Sequence, residues 1–537
     1  MVCGTSCKEI MGKKNSTFKQ VGFASIIMMA SVFASRIIGL AREMTIAFSG
    51  GAGGEVDAYQ VAFIVPEILN HIVASGFLSV TFIPIFAAYL ARNEEEEGWR
   101  IFSLVFTTFG LLLVAATLAC LWFAPELVAV FAPGIDDPSL FSLAVKMTRI
   151  IIPAQLFFFS GGLFMAVQFT RKKFLIPALA PLIYNLGIIL GGVLLGPYLG
   201  IEGFAWGVLG GAFAGNFLLQ YFGARRTGML LKFKFDITHP ELIRYTLLTL
   251  PLMVGMTMTF STEILLKFFG SYLAEGSIAA LNYGLRIMFI LVGLTGQAVG
   301  VASYPFMARL AAEKRINELN TLLNTTLKFL LLVIPVSVLF MVLSQEIVVL
   351  LFQRGRFGPD ATRTTAAILP FLLCGTFAFA AQTVVVRGYY AIQNTWVPAL
   401  LTTLAVIITL PVFYFFMGIM EAQGVALALS LVATAQTLIL FALWNKKSRN
   451  SGAGSVYRFF FTITGLSLGT GFILVNITAL LKTVIVSTTF WGALAVSIIT
   501  TSIFALLFSG AGQIFKIKEI NRFNKKLAQK CRGLFFS

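Results

Sequence analysis

Near the start of the chain the segment SRIIGLARE, Ser35 to Glu43, sets Arg36 and Arg42 inside an apolar run. Glu43 follows Arg36 by seven residues, two helical turns, and so falls on the same side of a helix. Gly39, between the two arginines, lets a neighbouring helix or a ligand come close. The next apolar run opens with Asp57 and carries Glu67, Asn70 and His71. Later runs hold Glu263 and Lys267 at the i,i+4 spacing of an ion pair, and then Asn282, Arg286, Gly293 and Gln297 along one helical face. A charge at the centre of a bilayer costs at least ~2.5 kcal/mol, which makes each of these residues a functional candidate. Guanidinium forks hold phosphate oxygens bidentately and stay charged where burial would neutralise a lysine. The chemistry these residues suit is therefore binding of an anion such as a pyrophosphate, with no covalent step. Glu43, Asp57 and Glu263 could balance the arginines in an empty site or carry a coupling ion.

Each candidate has a plainer alternative. Arg42 and Asp57, near the ends of their runs, could snorkel to the interface. Glu263 with Lys267 reads first as a structural ion pair, and His71 as a satisfied hydrogen-bonding group rather than a proton relay. Arg36 and Arg286 sit well inside their runs and are the strongest candidates. The GRF of Gly355 to Phe357 reads as a turn, and Glu94 to Glu97 as a solvated loop face.

The elements that must position these residues are membrane spans. Of 537 residues, 58% are hydrophobic and 12% charged, against about 25% charged in a soluble domain. Apolar stretches of about twenty residues, enough to cross a hydrocarbon core, recur from Val21 to Ala511 and predict about fourteen transmembrane helices. The net charge of +17 is not gathered into a nucleic-acid surface. It lies in short clusters between alternate spans, as at Arg171, Lys172 and Lys173 or Lys446, Lys447 and Arg449, with Lys146, Arg149 and Lys482 among the exceptions. By the positive-inside rule both termini are expected in the cytoplasm, with the basic tail of residues 516–537 against anionic headgroups. The first run is too long for a signal peptide and is read as a retained span. The five cysteines make a disulfide framework improbable, and Cys3 and Cys7 lack the partners of a metal site.

A constant offset of 221 residues pairs Pro84 with Pro305, Gly134 with Gly355, Pro177 with Pro398 and Gly203 with Gly424. IPAL at Ile176 to Leu179 matches VPAL at Val397 to Leu400. Six spans fit in one offset, so the copies share a topology and form two six-helix lobes in a parallel repeat. The expected organisation is a cytoplasmic segment (1–20), an N-lobe (21–224), a C-lobe (225–450), two extra helices (451–515) and the tail. Transporters built this way bind substrate between lobes near the midplane and rock to alternate access, which would set Arg36 and Arg42 opposite Arg286. No phosphate-binding loop or ATPase domain occurs, so transport is expected to be secondary or passive, with no cofactor and only a coupling ion or the membrane potential as its drive.

SRIIGLARE, the VDAYQVAF of Val56 to Phe63, FIPIF (Phe82 to Phe86), KFLIPALAPLIYN (Lys173 to Asn185), NYGLRI (Asn282 to Ile287) and LFQRGRF (Leu351 to Phe357) together resemble the MurJ (MviN) family of lipid II flippases, over essentially the whole chain. The resemblance implies a fourteen-helix fold of the multidrug/oligosaccharidyl-lipid/polysaccharide exporter superfamily in a bacterial inner membrane. It also implies a cationic central cavity for the lipid II headgroup and a groove on the two extra helices for the undecaprenyl tail. Ser35, Arg36, Arg42, Asp57 and Arg286 match positions that family uses in its cavity. The chain departs from the pattern at Asn70 and His71, where an arginine is common, at Ser75 in place of a glutamate, at Glu67 in place of an asparagine, and at Phe289 in place of a carboxylate found in some members. The function implied is movement of lipid II from the cytoplasmic to the periplasmic leaflet. A flippase for another polyprenyl-linked unit, such as O-antigen or capsule, shares nearly all these features, whereas a cation-coupled drug exporter calls for an acidic cavity.

Overall fold

The computed structural model describes residues 4–71 and 77–515, and among them every regular element is helical. The first part of the chain forms α1 (Gly4–Gly50), α2 (Gly54–Val61), α3 (Ile64–Leu69), α4 (Phe77–Ala91), α5 (Glu95–Trp122), α6 (Ala124–Phe131), α7 (Pro138–Ile151), α8 (Ala154–Thr170), α9 (Leu175–Leu199), α10 (Glu202–Gly211), α11 (Leu219–Arg225) and α12 (Pro240–Gly270). The second part forms α13 (Ser277–Val292), α14 (Ala298–Ala312), α15 (Ile316–Leu330), α16 (Val333–Val342), α17 (Ser344–Leu351), α18 (Pro359–Leu373), α19 (Thr376–Ala391), α20 (Trp396–Ser448), α21 (Ala453–Val484) and α22 (Phe490–Ile514). Short π-helical turns join α10 to α11 and α13 to α14.

Among the described residues, eight helical stretches are long and apolar enough to cross a membrane, and α18 with α19, bent by 42°, makes a ninth if counted as one span. Length and apolarity alone thus fall short of the expected fourteen. One reason is that α20 runs for 53 residues and is broken at Glu421, whose φ of 50° and ψ of −128° are not helical. Another is that the other expected spans are charged or interrupted. Arg36, Arg42 and Glu43 lie in α1, Ala62 and Phe63 separate α2 from α3, and a π-turn divides α10 from α11.

The helices gather into two compact units, residues 1–260 and 261–537. The division falls inside α12, later than the expected change of lobe at 224/225. Its physical cause is the first turns of α12, where Leu242 and Tyr245 are buried in the core of the first unit and Tyr245 meets the ring of Phe109 edge-on. That core is aromatic: Phe82, Phe86, Trp99, Phe102 and Phe164 interlock between α4, α5 and α8. Beside it, α9 and α10 meet through glycines at positions 187, 191, 203, 207 and 211, the small-residue spacing that lets membrane helices touch backbone to backbone.

The second unit includes α21 and α22. Leu474, Val496 and Phe504 pack on Leu339 and Leu343, and Lys482 lies 2.8 Å from the fully buried carboxylate of Glu346. The LFQRGRF segment is structural here: Phe352 and Phe357 close around Tyr283 of α13, while Arg354 sits 5.2 Å over the ring of Phe490.

Equivalent places in the repeat are closed by polar bonds of different chemistry. Gln168 donates to Gln220 at 3.0 Å in the first unit, and Tyr389, which the 221-residue offset pairs with Gln168, donates to the carbonyl of Leu440 at 3.1 Å in the second. Ser103 accepts from the Lys232 amide at 3.1 Å. Its counterpart Asn324 exchanges two amide bonds with Asn450, at 2.8 and 2.9 Å, clasping the turn between α20 and α21. Replacing Asn450 with alanine leaves the Asn324 amide buried with both bonds lost, and a loss of about 1–3 kcal/mol is expected. Thermal unfolding of the purified protein in detergent checks it, and an unchanged midpoint would refute the clasp.

Candidate functional site

In the first unit, α1 packs along α9, and a lone amide in α9 collects the polar groups of α1. Arg42 donates through Nη1 to Asn185 Oδ1 at 3.0 Å and pairs through Nη2 with Glu43. Asn185 in turn donates to the carbonyl of Pro181 at 2.8 Å and reaches the hydroxyl of Ser35 at 3.5 Å. The glycine at 39 keeps this approach open, since a Cβ there would stand 3.9 Å from Asn185 Oδ1. Tyr59 of α2 and Tyr184 of α9 are close enough to Arg42 to feel its charge, and Glu67 of α3 lies in the same range of Tyr184.

The Arg42 side chain is 20% exposed and that of Glu43 only 3%, so the pair is largely enclosed within the unit. Glu43 pairs with Arg42, and Arg36, two turns earlier, is exposed. Asp57 is buried in the first turn of α2, and Asn70 and His71 are half-buried just beyond α3. Asn185 was overlooked as a site residue, although one amide inside the apolar run ALAPLIYNLGII is a signal that sequence carries.

In the second unit Asn282 is buried and Arg286 half-buried on α13, with Lys267 buried and Glu263 half-buried on α12. The side chain of Gln297, and Ser75 altogether, lie outside the described residues. Phe289 meets Phe379 edge-on at 5.8 Å, so an aromatic contact occupies the place where some of the resembled family carry a carboxylate. Arg387 of α19, also missed from sequence, is half-buried with its guanidinium packed against Gly300, where a Cβ would collide with it. Among the described residues no group of His, Cys, Asp and Glu is arranged to hold a metal ion.

These are guanidinium, amide and phenol groups on helices, suited to holding and releasing an anion. The family model described as lipid II flippase MurJ matches residues 46–493, beginning just after SRIIGLARE. A probable lipid II flippase MurJ of Buchnera aphidicola subsp. Baizongia pistaciae is 28% identical over 426 residues, covering 78% of this chain and 82% of that protein. A solved structure of lipid II flippase MurJ in an inward closed conformation superposes with a TM-score of 0.73 at 26% identity, over 90% of this chain and 99% of that one. An inward-facing multidrug resistance MATE family transporter of the MOP superfamily shares the fold, with a TM-score of 0.62 at 14% identity over 81% of this chain and 98% of that one. Family model, relatives and fold agree: the chain belongs to the lipid II flippase MurJ family, multi-pass membrane transporters, and is not an enzyme.

Proposed function

We propose that this protein moves lipid II from the cytoplasmic to the periplasmic leaflet of a bacterial inner membrane by alternating access, with both termini in the cytoplasm. Arg36, Arg42 and Arg286 are assigned to binding the pyrophosphate. The observation that carries the reading is the Arg42 cluster: Asn185 and Glu43 hold the guanidinium at a fixed place on α1, so little ordering remains when a phosphate arrives. Arg36, exposed on the same helix, supplies a second fork. Ser35 and Asp57 are assigned to the same headgroup site. Glu263, Lys267, Asn282 and Gln297, with Asn70 and His71, are assigned to its polar surroundings or to ion coupling.

The polyprenyl tail stays in lipid throughout, since exposing it to water costs about 0.8 kcal/mol per methylene. The exposed Phe461, Leu468, Phe472 and Leu480 of α21 and Leu506 of α22 offer an apolar surface along which it can run. The relative solved in an inward closed conformation supports a cycle of alternating access.

The test is depletion of a host's own lipid II flippase, with this protein supplied in its place. The parent sustains growth, and Arg36→Ala and Arg286→Ala, verified as inserted, do not. Failure of a correctly inserted parent would move the substrate to another lipid-linked glycan, and full rescue by both variants would remove the arginines from the site.

A further inference from the structure

Lys146 and Arg149 stand at an end of the first unit whose connections are otherwise nearly free of Lys and Arg. The structure shows what surrounds them. Both are on α7 and exposed, bordering a cavity of about 690 Å³. Phe141, Val145, Pro153, Trp206 and Leu209 form much of its apolar wall. Its volume falls in the range of roughly 300–1,000 Å³ typical of small-molecule sites.

Three observations give the cavity a direction. Arg149, an exposed residue, donates through Nε to the carbonyl of Leu121 at 3.2 Å, which holds the guanidinium at the rim of the cavity. Lys146 is anchored 2.7 Å from Glu202 at the start of α10. Trp122, Phe123 and Trp206 are exposed around them, the aromatic belt that marks the level of lipid headgroups. Cations at headgroup level above an apolar cleft match a phosphate joined to an acyl chain.

We propose that this cleft binds an anionic glycerophospholipid, its phosphate at Arg149 and Lys146 and one acyl chain against Phe141, Val145 and Trp206. The site is separate from the Arg42 cluster and stands independently of the transported substrate. Only the choice of leaflet, the periplasmic one, rests on the orientation proposed above. Capping of the carboxyl end of α5 accounts for the Nε bond of Arg149 alone, leaving the apolar cavity beside this exposed cation unexplained.

Trp206 is a built-in reporter. The full-length protein is reconstituted in phosphatidylcholine vesicles containing brominated phosphatidylglycerol or brominated phosphatidylcholine, and the Trp206 signal is taken as the difference between the parent and Trp206→Phe. Brominated phosphatidylglycerol is expected to quench it at about tenfold lower mole fraction, the effect of one charge-assisted phosphate contact. Arg149→Gln should bring the two lipids together, and Arg149→Lys should keep most of the preference. Equal quenching by the two lipids in the parent would overturn the proposal, as would a preference that survives Arg149→Gln. The comparison on the parent decides the matter even where Arg149→Gln fails to fold.

Discussion

Arg42→Ala is expected to abolish lipid II transport and to lower stability by roughly 1.5–3 kcal/mol, because it removes the charge-assisted bonds of the guanidinium to Asn185 and to Glu43, whose carboxylate is 3% exposed. The two losses are separable. In Arg42→Ala with Glu43→Gln the buried group is neutral, so most of the stability should return while transport stays absent. Arg42→Lys should keep the fold and lose much of the transport, since an ammonium cannot bond Asn185, Glu43 and a phosphate as a fork does. Unfolding midpoints and a double-mutant cycle measure the first effect, and growth on depletion of the host flippase measures the second. A double variant that transports as well as the parent would show that Arg42 serves only to neutralise Glu43.

Gly191→Val is expected to prevent the first unit from folding. A Cβ at position 191 meets the backbone of α10 head-on, 2.6 Å from both the carbonyl oxygen of Gly203 and the amide nitrogen of Gly207. Backbone has no rotamer into which to retreat, so the helices must separate and lose the contacts along their whole seam. Gly196→Ala in the same helix is the control, because a Cβ there meets nothing within 4 Å. Gly191→Val should be recovered at a small fraction of parental yield and Gly196→Ala at close to all of it, by size-exclusion of detergent extracts. Equal yields would contradict the backbone contact.

The helical class, the membrane setting and the two arginine-bearing segments were legible because each rests on residue type and local period. The 221-residue repeat survives as paired proline and glycine positions, but the bonds that close equivalent helices changed chemistry, from Gln168 with Gln220 to Tyr389 with a carbonyl, and no pattern search would align them. The start of α12 is hard to assign for a related reason: Tyr245 follows a long polar connection yet packs against Phe109, far back in the chain. Arg42 illustrates the limit within the site itself. Its place near the end of an apolar run suits snorkelling equally well, and its bond to Asn185, 143 residues away, is a contact no local pattern announces. Arg36 needed no such long-range contact to be noticed, since its charge inside an apolar run is itself the signal.

The most direct measurement is the leaflet distribution of lipid II itself. In cells depleted of their own flippase and expressing this protein, an impermeant enzyme that cleaves the lipid II pyrophosphate is added from the periplasmic side. The account predicts cleavage with the parent and none above background with Arg36→Ala, whose exposed position makes it the least damaging of the arginine substitutions to the fold. Lipid II that stays protected with the parent inserted at full level would contradict it.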